Sequence, residues 1–212
     1  MPAILLKVHP ANPQERHLSR VVEALREGAV IIYPTDTVYG LGCDIQNKRA
    51  VHRLCQIKGI DPAKSHLTCV CESTAIIGTY ANQVSTPVYK LMRRALPGPY
   101  TFILKASREI PRHFQHKKTV GIRVVDHPIT QRLTELLGNP LASISLPADE
   151  DPAYISDPEV IIERYLHQVD FVMDAGVGHL TPSTVIDCSR GEDEIVVLRE
   201  GAGPLAPLGL TL

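Results

Sequence analysis

The chain has 212 residues, of which 44% are hydrophobic, and its formal net charge is −1. This length predicts one sizeable domain rather than two large ones, and the charge excludes a protein that binds polyanions through its net charge alone. No apolar stretch approaches the roughly 18 residues of a membrane helix, and the first eight residues are too short for a signal peptide.

The first quarter of the chain begins with a helical pattern and continues with a strand. Apolar residues recur at i, i+3, i+4 and i+7 from Leu18 to Leu25, which predicts an amphipathic helix that ends at Gly28. The apolar run 29–33 then predicts a buried strand. Asn47 is the predicted N-cap of a second helix.

The remaining elements are predicted from the same signals. Helices are expected at residues 84–96, from the cap Asp126 to Gly138, and at 158–168 after the cap Asp157. Strands are expected at residues 67–71, 100–106, 119–125, 141–145, 170–176, 183–189 and 194–200.

This order of elements favours the α/β class. Helices and strands alternate, but several strands near the end follow one another directly. The pattern predicts a single-domain twisted open sheet of mixed strand direction with helices packed on it, rather than a doubly wound parallel sheet. The tail from Gly203 is rich in Pro, Gly and Leu and is expected to be poorly ordered.

The five cysteines are odd in number and form no CxxC pair. Cys69 and Cys71 alternate along a predicted strand and should face the same side. The pattern favours reduced core thiols in a cytoplasmic protein and gives a zinc site little support.

Charge is distributed unevenly along the chain. Residues 89–132 hold ten Lys/Arg and two Asp/Glu, whereas residues 146–200 hold three Lys/Arg and thirteen Asp/Glu. The two segments are either opposite solvated faces or a basic cleft for phosphates or RNA beside an acidic half.

Polar residues cluster where predicted strands end. The set comprises Thr35, Thr37, Ser143, Ser145, Ser183, Thr184 and Arg199. Hydroxyl groups and an arginine can bind phosphate or carboxylate oxygens, and ligands of open α/β sheets gather at strand ends. Ordinary turn chemistry explains the same residue types. The known phosphate loops are absent, so the residues alone predict an α/β domain with a candidate anion site.

Five segments occur in the order and spacing of the YrdC/YciO family: "GAVIIYPTDTVYGLGCDI", "PGPYTFIL", "TVGIRV" followed by "HP", "PSTVID" and "VLREGAG". The chain resembles that family from about residue 14 to residue 203, as one YrdC-like domain spanning residues 1–212. The resemblance implies a twisted open-sheet fold with a concave, positively charged surface. It also implies binding of double-stranded RNA and, in the synthase branch, synthesis of threonylcarbamoyl-AMP for a modified adenosine of tRNA.

By this resemblance, L-threonine, bicarbonate and ATP with Mg²⁺ are the expected ligands. Thr35 and Ser183 are expected to contact threonine, and Tyr39 with Gly40 and Gly42 to form a wall that lets backbone approach the ligand. The family implies that Lys58, Ser145 and Arg199 bind the nucleotide and take part in catalysis, and Ser143 is a further expected nucleotide-binding residue. Because they all lie at strand ends or just beyond, Thr35, Tyr39, Ser145, Ser183 and Arg199 are expected to line one cavity.

Two departures from the synthase branch resemble the YciO branch. The KxR motif has Ile60 in place of its Arg, and the SxN motif that starts at Ser145 has Pro147 in place of its Asn. An isoleucine cannot neutralise a phosphate, and proline has neither an amide side chain nor a backbone N–H. These changes predict a weak synthase, or an enzyme that reverses or hydrolyses the adduct, unless Arg53, Lys64 or Arg123 compensates.

The alternative prediction is a module that binds double-stranded RNA or tRNA without chemistry. It depends on the basic segment and would be strongly salt-dependent. The expected RNA-binding surface comprises Arg93, Arg94, Lys117, Lys118 and Arg123.

Overall fold

A computed structural model describes residues 2–61, 67–114, 118–147, 151–191 and 194–211. Its strands are β1 (Ile4–Lys7), β2 (Val30–Tyr33), β3 (Gly40–Asp44), β4 (Thr68–Val70), β5 (Tyr100–Lys105), β6 (Thr119–Arg123), β7 (Leu141–Ser145), β8 (Phe171–Asp174), β9 (Thr184–Asp187) and β10 (Val196–Arg199). Its α-helices are α1 (Glu15–Glu27), α2 (Lys48–Lys58), α3 (Ile77–Tyr80), α4 (Thr86–Ala95), α5 (Pro128–Leu137), α6 (Ala153–Ser156) and α7 (Pro158–Tyr165).

Three predicted helix ends are confirmed. Gly28 ends α1 with a left-handed φ of 105°, a conformation that glycine adopts without steric cost. Asn47 caps α2 by accepting a hydrogen bond from the Ala50 N–H at 3.1 Å. Asp157 caps α7 by accepting from the Glu159 N–H at 3.0 Å.

The predicted cap of α5 is wrong by one residue. His127 is the cap, and its Nδ1 accepts a hydrogen bond from the Ile129 N–H at 3.3 Å. The N–H of Asp126 is instead donated to the Asp36 carboxylate at 3.0 Å. Asp126 and His127 both precede the proline of the first turn, so local sequence does not decide which of them is the cap. The bond between Asp126 and the distant Asp36 decides it.

The prediction of a poorly ordered tail is also wrong. Leu205 and Leu208 are buried. The Tyr100 hydroxyl donates to the carbonyl oxygen of Pro204 at 2.8 Å, and a 3₁₀ helix spans Ala206–Leu208. Apolar residues in the tail therefore pack on the domain instead of remaining in solvent.

The ten strands form one sheet in the order β1-β8-β2-β3-β7-β4-β6-β5-β9-β10. The pairs β1/β8, β2/β8, β4/β6 and β5/β9 are parallel, and the other neighbours are antiparallel. This confirms the predicted single α/β domain with a sheet of mixed direction.

The two faces of the sheet are covered differently. One face packs on α2, α4 and α7. The other face is covered by α1 and α5 over β1, β8 and β2, and this cluster reaches Leu141 of β7 and Val70 of β4. All five cysteines are buried and none forms a disulfide, and Cys69 and Cys71 lie on the same side of the sheet, as predicted. No helix in the described ranges is long and apolar enough to cross a membrane.

Candidate functional site

A cavity of about 330 Å³ lies on the part of the sheet that α1 and α5 leave open. Its floor is made by alternate residues of the central strands, because successive side chains of a strand point to opposite faces. Apolar neighbours such as Phe102 and Ile122 point to the other face and fill the core. The lining residues are Lys58, Leu67, Thr68, Val70, Thr101, Ile103, Phe114, Thr119, Gly121, Arg123, Ser143, Ile144, Ser145, Ser183, Val185 and Arg199.

Gly121 occupies the middle of this floor. It pairs with Thr68 on one side and with Ile103 on the other. A Cβ at this position would lie 3.2 Å from the Thr68 Oγ1 and 3.5 Å from the Thr101 Cγ2. Glycine therefore leaves open the space that any side chain would fill.

Three cations line the cavity. The Lys58 Nζ donates to the carbonyl oxygen of Ser145 at 2.6 Å. The Arg199 guanidinium donates to the carbonyl oxygen of Ser183 at 2.8 and 3.1 Å. Neither has a carboxylate partner among the described residues. Arg123, in contrast, is paired with the carboxylate of Asp36.

The local electrostatics favour an anionic ligand. Burial lowers the pKa of Lys58. Burial, with repulsion by Arg123 as a smaller cause, lowers the pKa of Arg199. Both directions report positive charge that lacks full compensation, because desolvation and a like charge each disfavour the charged form. No carboxylate lines the described part of the cavity, so a bound phosphate or carboxylate would supply the missing charge.

Arg123 and Arg199 stand on either side of a pair of hydroxyls. Val185 pairs with Thr101 on one side and with Arg199 on the other. The Oγ atoms of Thr101 and Ser183 are 2.9 Å apart. A ligand between the two arginines would therefore meet two guanidinium groups and two hydroxyls.

The loop at residues 34–37 forms a support for Arg123. The Arg123 Nη2 donates to the Asp36 carboxylate and to the Thr37 Oγ1, the latter at 2.8 Å. Thr35 does not line the cavity. Its hydroxyl donates to the carbonyl oxygen of Val38 at 2.7 Å and accepts from the Thr37 N–H at 3.0 Å. In this structure Thr35 stabilises the loop, so the prediction that it lines one cavity with Ser145, Ser183 and Arg199 is not met.

Tyr39 also lies outside the cavity. It is buried in the core on the other face, and its hydroxyl donates to the carbonyl oxygen of Gly176 at 2.8 Å. The predicted glycine wall has a different explanation. A Cβ at Gly40 or Gly42 would lie 2.9 or 2.7 Å from the Tyr33 ring. These glycines make room for Tyr33.

Ser143 and Ser145 line the cavity as expected, together with Lys58, Ser183 and Arg199. The Ser143 Oγ is 2.6 Å from the Tyr33 hydroxyl. Sequence reasoning missed the cavity side of β4, β5 and β6. The sequence did contain a signal for the cavity side of β6, because the small or polar residues Thr119, Gly121 and Arg123 occupy every second position of "TVGIR".

The predicted RNA-binding residues do not form one surface. Arg93 and Arg94 are on α4, which packs on the face opposite the cavity. Arg123 is buried beside Asp36. Lys118 is exposed, and Lys117 lies outside the described residues. Proximity in sequence therefore did not give proximity in space.

Arg53 does not replace the cation that the synthase motif has at the position of Ile60. Its Nη1 lies 2.6 Å from the Asp170 carboxylate, and it does not line the cavity. Ile60 packs against the core, and Lys64 lies outside the described residues. Arg123 does line the cavity, but Asp36 already neutralises it.

Comparisons with known proteins agree with this fold. The family model Sua5/YciO/YrdC, described as telomere recombination, matches residues 23–201. The uncharacterized protein YciO of Escherichia coli is 42% identical over 202 residues, which are 94% of this chain and 96% of that protein. The crystal structure of E. coli YciO matches with a TM-score of 0.89 and covers 97% of this chain and 99% of its own.

More distant relatives carry an assigned activity. The threonylcarbamoyl-AMP synthase of Vibrio cholerae is 33% identical over 189 residues, which are 87% of this chain and 97% of that protein. P. abyssi Sua5 complexed with L-threonine matches with a TM-score of 0.85 at 28% identity. That match covers 96% of this chain and 59% of Sua5.

Proposed function

Because the chain belongs to the Sua5/YciO/YrdC family, we propose that its cavity binds L-threonine and an adenine nucleotide and carries out threonylcarbamoyl-AMP chemistry. In the forward direction the threonine amine and bicarbonate form a carbamate with loss of water, and a carbamate oxygen attacks the α-phosphorus of ATP and displaces pyrophosphate. The observation that carries the proposal is a hydroxyl-lined cavity with two cations, Lys58 and Arg199, that lack carboxylate partners in the described residues.

The threonine end of the site is assigned to the Arg123 side. Arg123 is only 7% exposed, and its Nε has no hydrogen-bond partner. An unpaired buried donor costs free energy, and a carboxylate is the natural acceptor for a guanidinium. Thr101 lies on the next strand, β5, and Ser183 directly precedes β9. Their hydroxyls could bind the polar groups of threonine.

The nucleotide end is assigned to Lys58, Ser145 and Arg199, with Ser143 beside them. The carbonyl oxygens that now hold Lys58 and Arg199 are weaker acceptors than a phosphate, so both side chains can change partner when the nucleotide binds. Mg²⁺ would arrive as Mg–ATP, because this ion keeps several waters and binds substrate phosphates. Catalysis would then consist of positioning and charge neutralisation.

The rate of synthesis should be low. Ile60 and Pro147 remove a guanidinium and an amide that the synthase motifs supply, and Arg53 is held by Asp170. Losing one contact that stabilises developing charge typically costs about 10²–10³ in rate. Binding needs fewer contacts than turnover, so affinity should be retained better than activity. None of the five cysteines forms a disulfide, and we propose the cytoplasm as the location, since thiols stay reduced there.

The test is to incubate the protein with Mg–ATP, L-threonine and bicarbonate and to measure threonylcarbamoyl-AMP and pyrophosphate. We expect slow synthesis, and a faster rate in the variant Ile60→Arg/Pro147→Asn. A parallel reaction starts from threonylcarbamoyl-AMP and separates hydrolysis to AMP from reversal to ATP with pyrophosphate. Absence of all three reactions, together with no binding of ATP at millimolar concentration, would refute the proposal.

A second candidate function is binding of double-stranded RNA or tRNA without chemistry. It is favoured by an exposed groove on α4, lined by Pro87, Lys90, Arg93 and Arg94. Its cations have no ion-pair partner in the described residues. Electrophoretic mobility of a short RNA duplex at increasing salt tests this function. Arg93→Gln/Arg94→Gln should weaken binding and flatten the salt dependence, whereas Arg16→Gln on α1 is the matched control.

A further inference from the structure

The structure assigns a further role to the loop at residues 34–37. We propose that Asp36 is a positioning residue, which holds the Arg123 guanidinium in the cavity so that its Nε–H is available to the carboxylate of the amino-acid substrate. The identity of that ligand depends on the proposed function, whereas the positioning of Arg123 does not.

Arg123 is held by one nitrogen only. Its Nη2 donates both to Asp36 and to Thr37, while its Nε is buried and has no partner. The side chains of Arg123 and Asp36 are 8% and 10% exposed. A guanidinium is planar and rigid, so fixing Nη2 also fixes the direction of the Nε–H.

Asp36 is itself fixed from a second side. One carboxylate oxygen is paired with Arg123, and the other accepts the N–H of Asp126 at 3.0 Å. The loop that carries it is tied to α5, because the Thr130 hydroxyl donates to the carbonyl oxygen of Pro34 at 2.5 Å. The carboxylate therefore has little freedom to follow Arg123 if the guanidinium moves.

Asp36 also sets the charge of the cavity. It compensates Arg123 and leaves Lys58 and Arg199 as the uncompensated cations. Removing its charge while keeping its shape should therefore have two opposite effects. Threonine should bind more weakly because Arg123 is misdirected, and Mg–ATP should bind equally or more tightly because the cavity becomes more positive.

The test is titration calorimetry of Asp36→Asn with L-threonine and, separately, with Mg–ATP. We expect the Kd for threonine to rise about 10- to 100-fold, since a hydrogen bond to a charged group contributes roughly 1.5–3 kcal/mol, with no rise for ATP. The control is Thr134→Val, a buried threonine of α5 whose hydroxyl bonds within its own helix and contacts neither Asp36 nor Arg123. An equal loss for both ligands, or the same loss in the control, would mean that Asp36 is only structural.

A second measurement is independent of the ligand. In ¹⁵N-labelled protein the Arg123 Nε–H should give a slowly exchanging signal that Arg123→Lys removes. Asp36→Asn, or Thr37→Val if that variant does not fold, should accelerate this exchange, whereas Thr134→Val should not. Unchanged exchange would overturn the positioning role. Faster exchange in a protein that binds no threonine would keep that role and refute the proposed function.

Discussion

Gly42 offers the sharpest test of how this sheet is packed. A Cβ added there would lie 2.7 Å from the Tyr33 Cε1 and 3.3 Å from its Cδ1. Tyr33 is fully buried, and its hydroxyl is 2.6 Å from the Ser143 Oγ. The ring is therefore fixed at both ends, and Gly42→Ala must displace either the ring or β3.

The expected cost follows from two opposing effects. Overpacking a well-packed core typically costs about 1–3 kcal/mol. Replacing glycine by alanine in an unstrained conformation returns about 0.4–1 kcal/mol through the unfolded state. We therefore expect Gly42→Ala to lower the free energy of unfolding by about 1–2 kcal/mol. In the background Tyr33→Leu, which lacks the outer ring atoms, the same change should cost nothing or stabilise.

The assay is urea unfolding of the four proteins of this cycle, followed by circular dichroism. The coupling between the two sites should be about 1–3 kcal/mol, as expected for residues in contact. Gly78→Ala in α3 is the matched control, because no atom lies within 4 Å of its added Cβ. Additive effects of Gly42→Ala and Tyr33→Leu would refute the steric argument.

Three further predictions concern the cavity and its border. Gly121→Val should fill the cavity floor and abolish the rise in melting temperature that Mg–ATP gives. The midpoint of urea unfolding should change little, because the atom nearest to the added Cβ is the side-chain Oγ1 of Thr68. A retained rise in melting temperature would place the ligand elsewhere. Lys58→Gln should raise the Kd for Mg–ATP by about tenfold or more, since a charge-assisted contact is lost, and an unchanged Kd in calorimetry would remove Lys58 from the site. Burial lowers the pKa of His127, so the unfolded state binds more protons and stability should fall as the pH drops below about 6.5. His127→Asn keeps the cap to Ile129 but cannot titrate, so its unfolding free energy should lose this pH dependence, and an unaltered slope would contradict the assignment.

The sequence predicted the helices better than the site. Local signals decide where a helix begins and ends, because an N-cap such as Asn47 or a terminating glycine such as Gly28 acts within one turn of the helix. The sequence analysis did not predict β3, because "GLGCD" contains two glycines, which are disfavoured in strands. Glycine is required at both positions because the ring of Tyr33 on the adjacent strand β2 occupies the space of a side chain.

The role of Arg123 could not be predicted from local signals. Its partner Asp36 is 87 residues away in the chain, and no pattern links the two. The polar residues of the first loop were correctly recognised as unusual, but their partners decide their roles. Thr35 turned out to be bonded within its own loop, while Ser145, Ser183 and Arg199 reach the cavity as predicted.

The position of β8 has a consequence for the synthesis of the protein on the ribosome. β8 lies between β1 and β2, and its residues Phe171–Asp174 pair with both. The first two strands are therefore translated long before the strand that joins them, and Val30–Tyr33 keeps an open apolar edge throughout that time. Such late pairing slows folding and exposes a strand edge to other chains. A nascent chain that stops before residue 171 should consequently be a substrate for chaperones, not a smaller working domain.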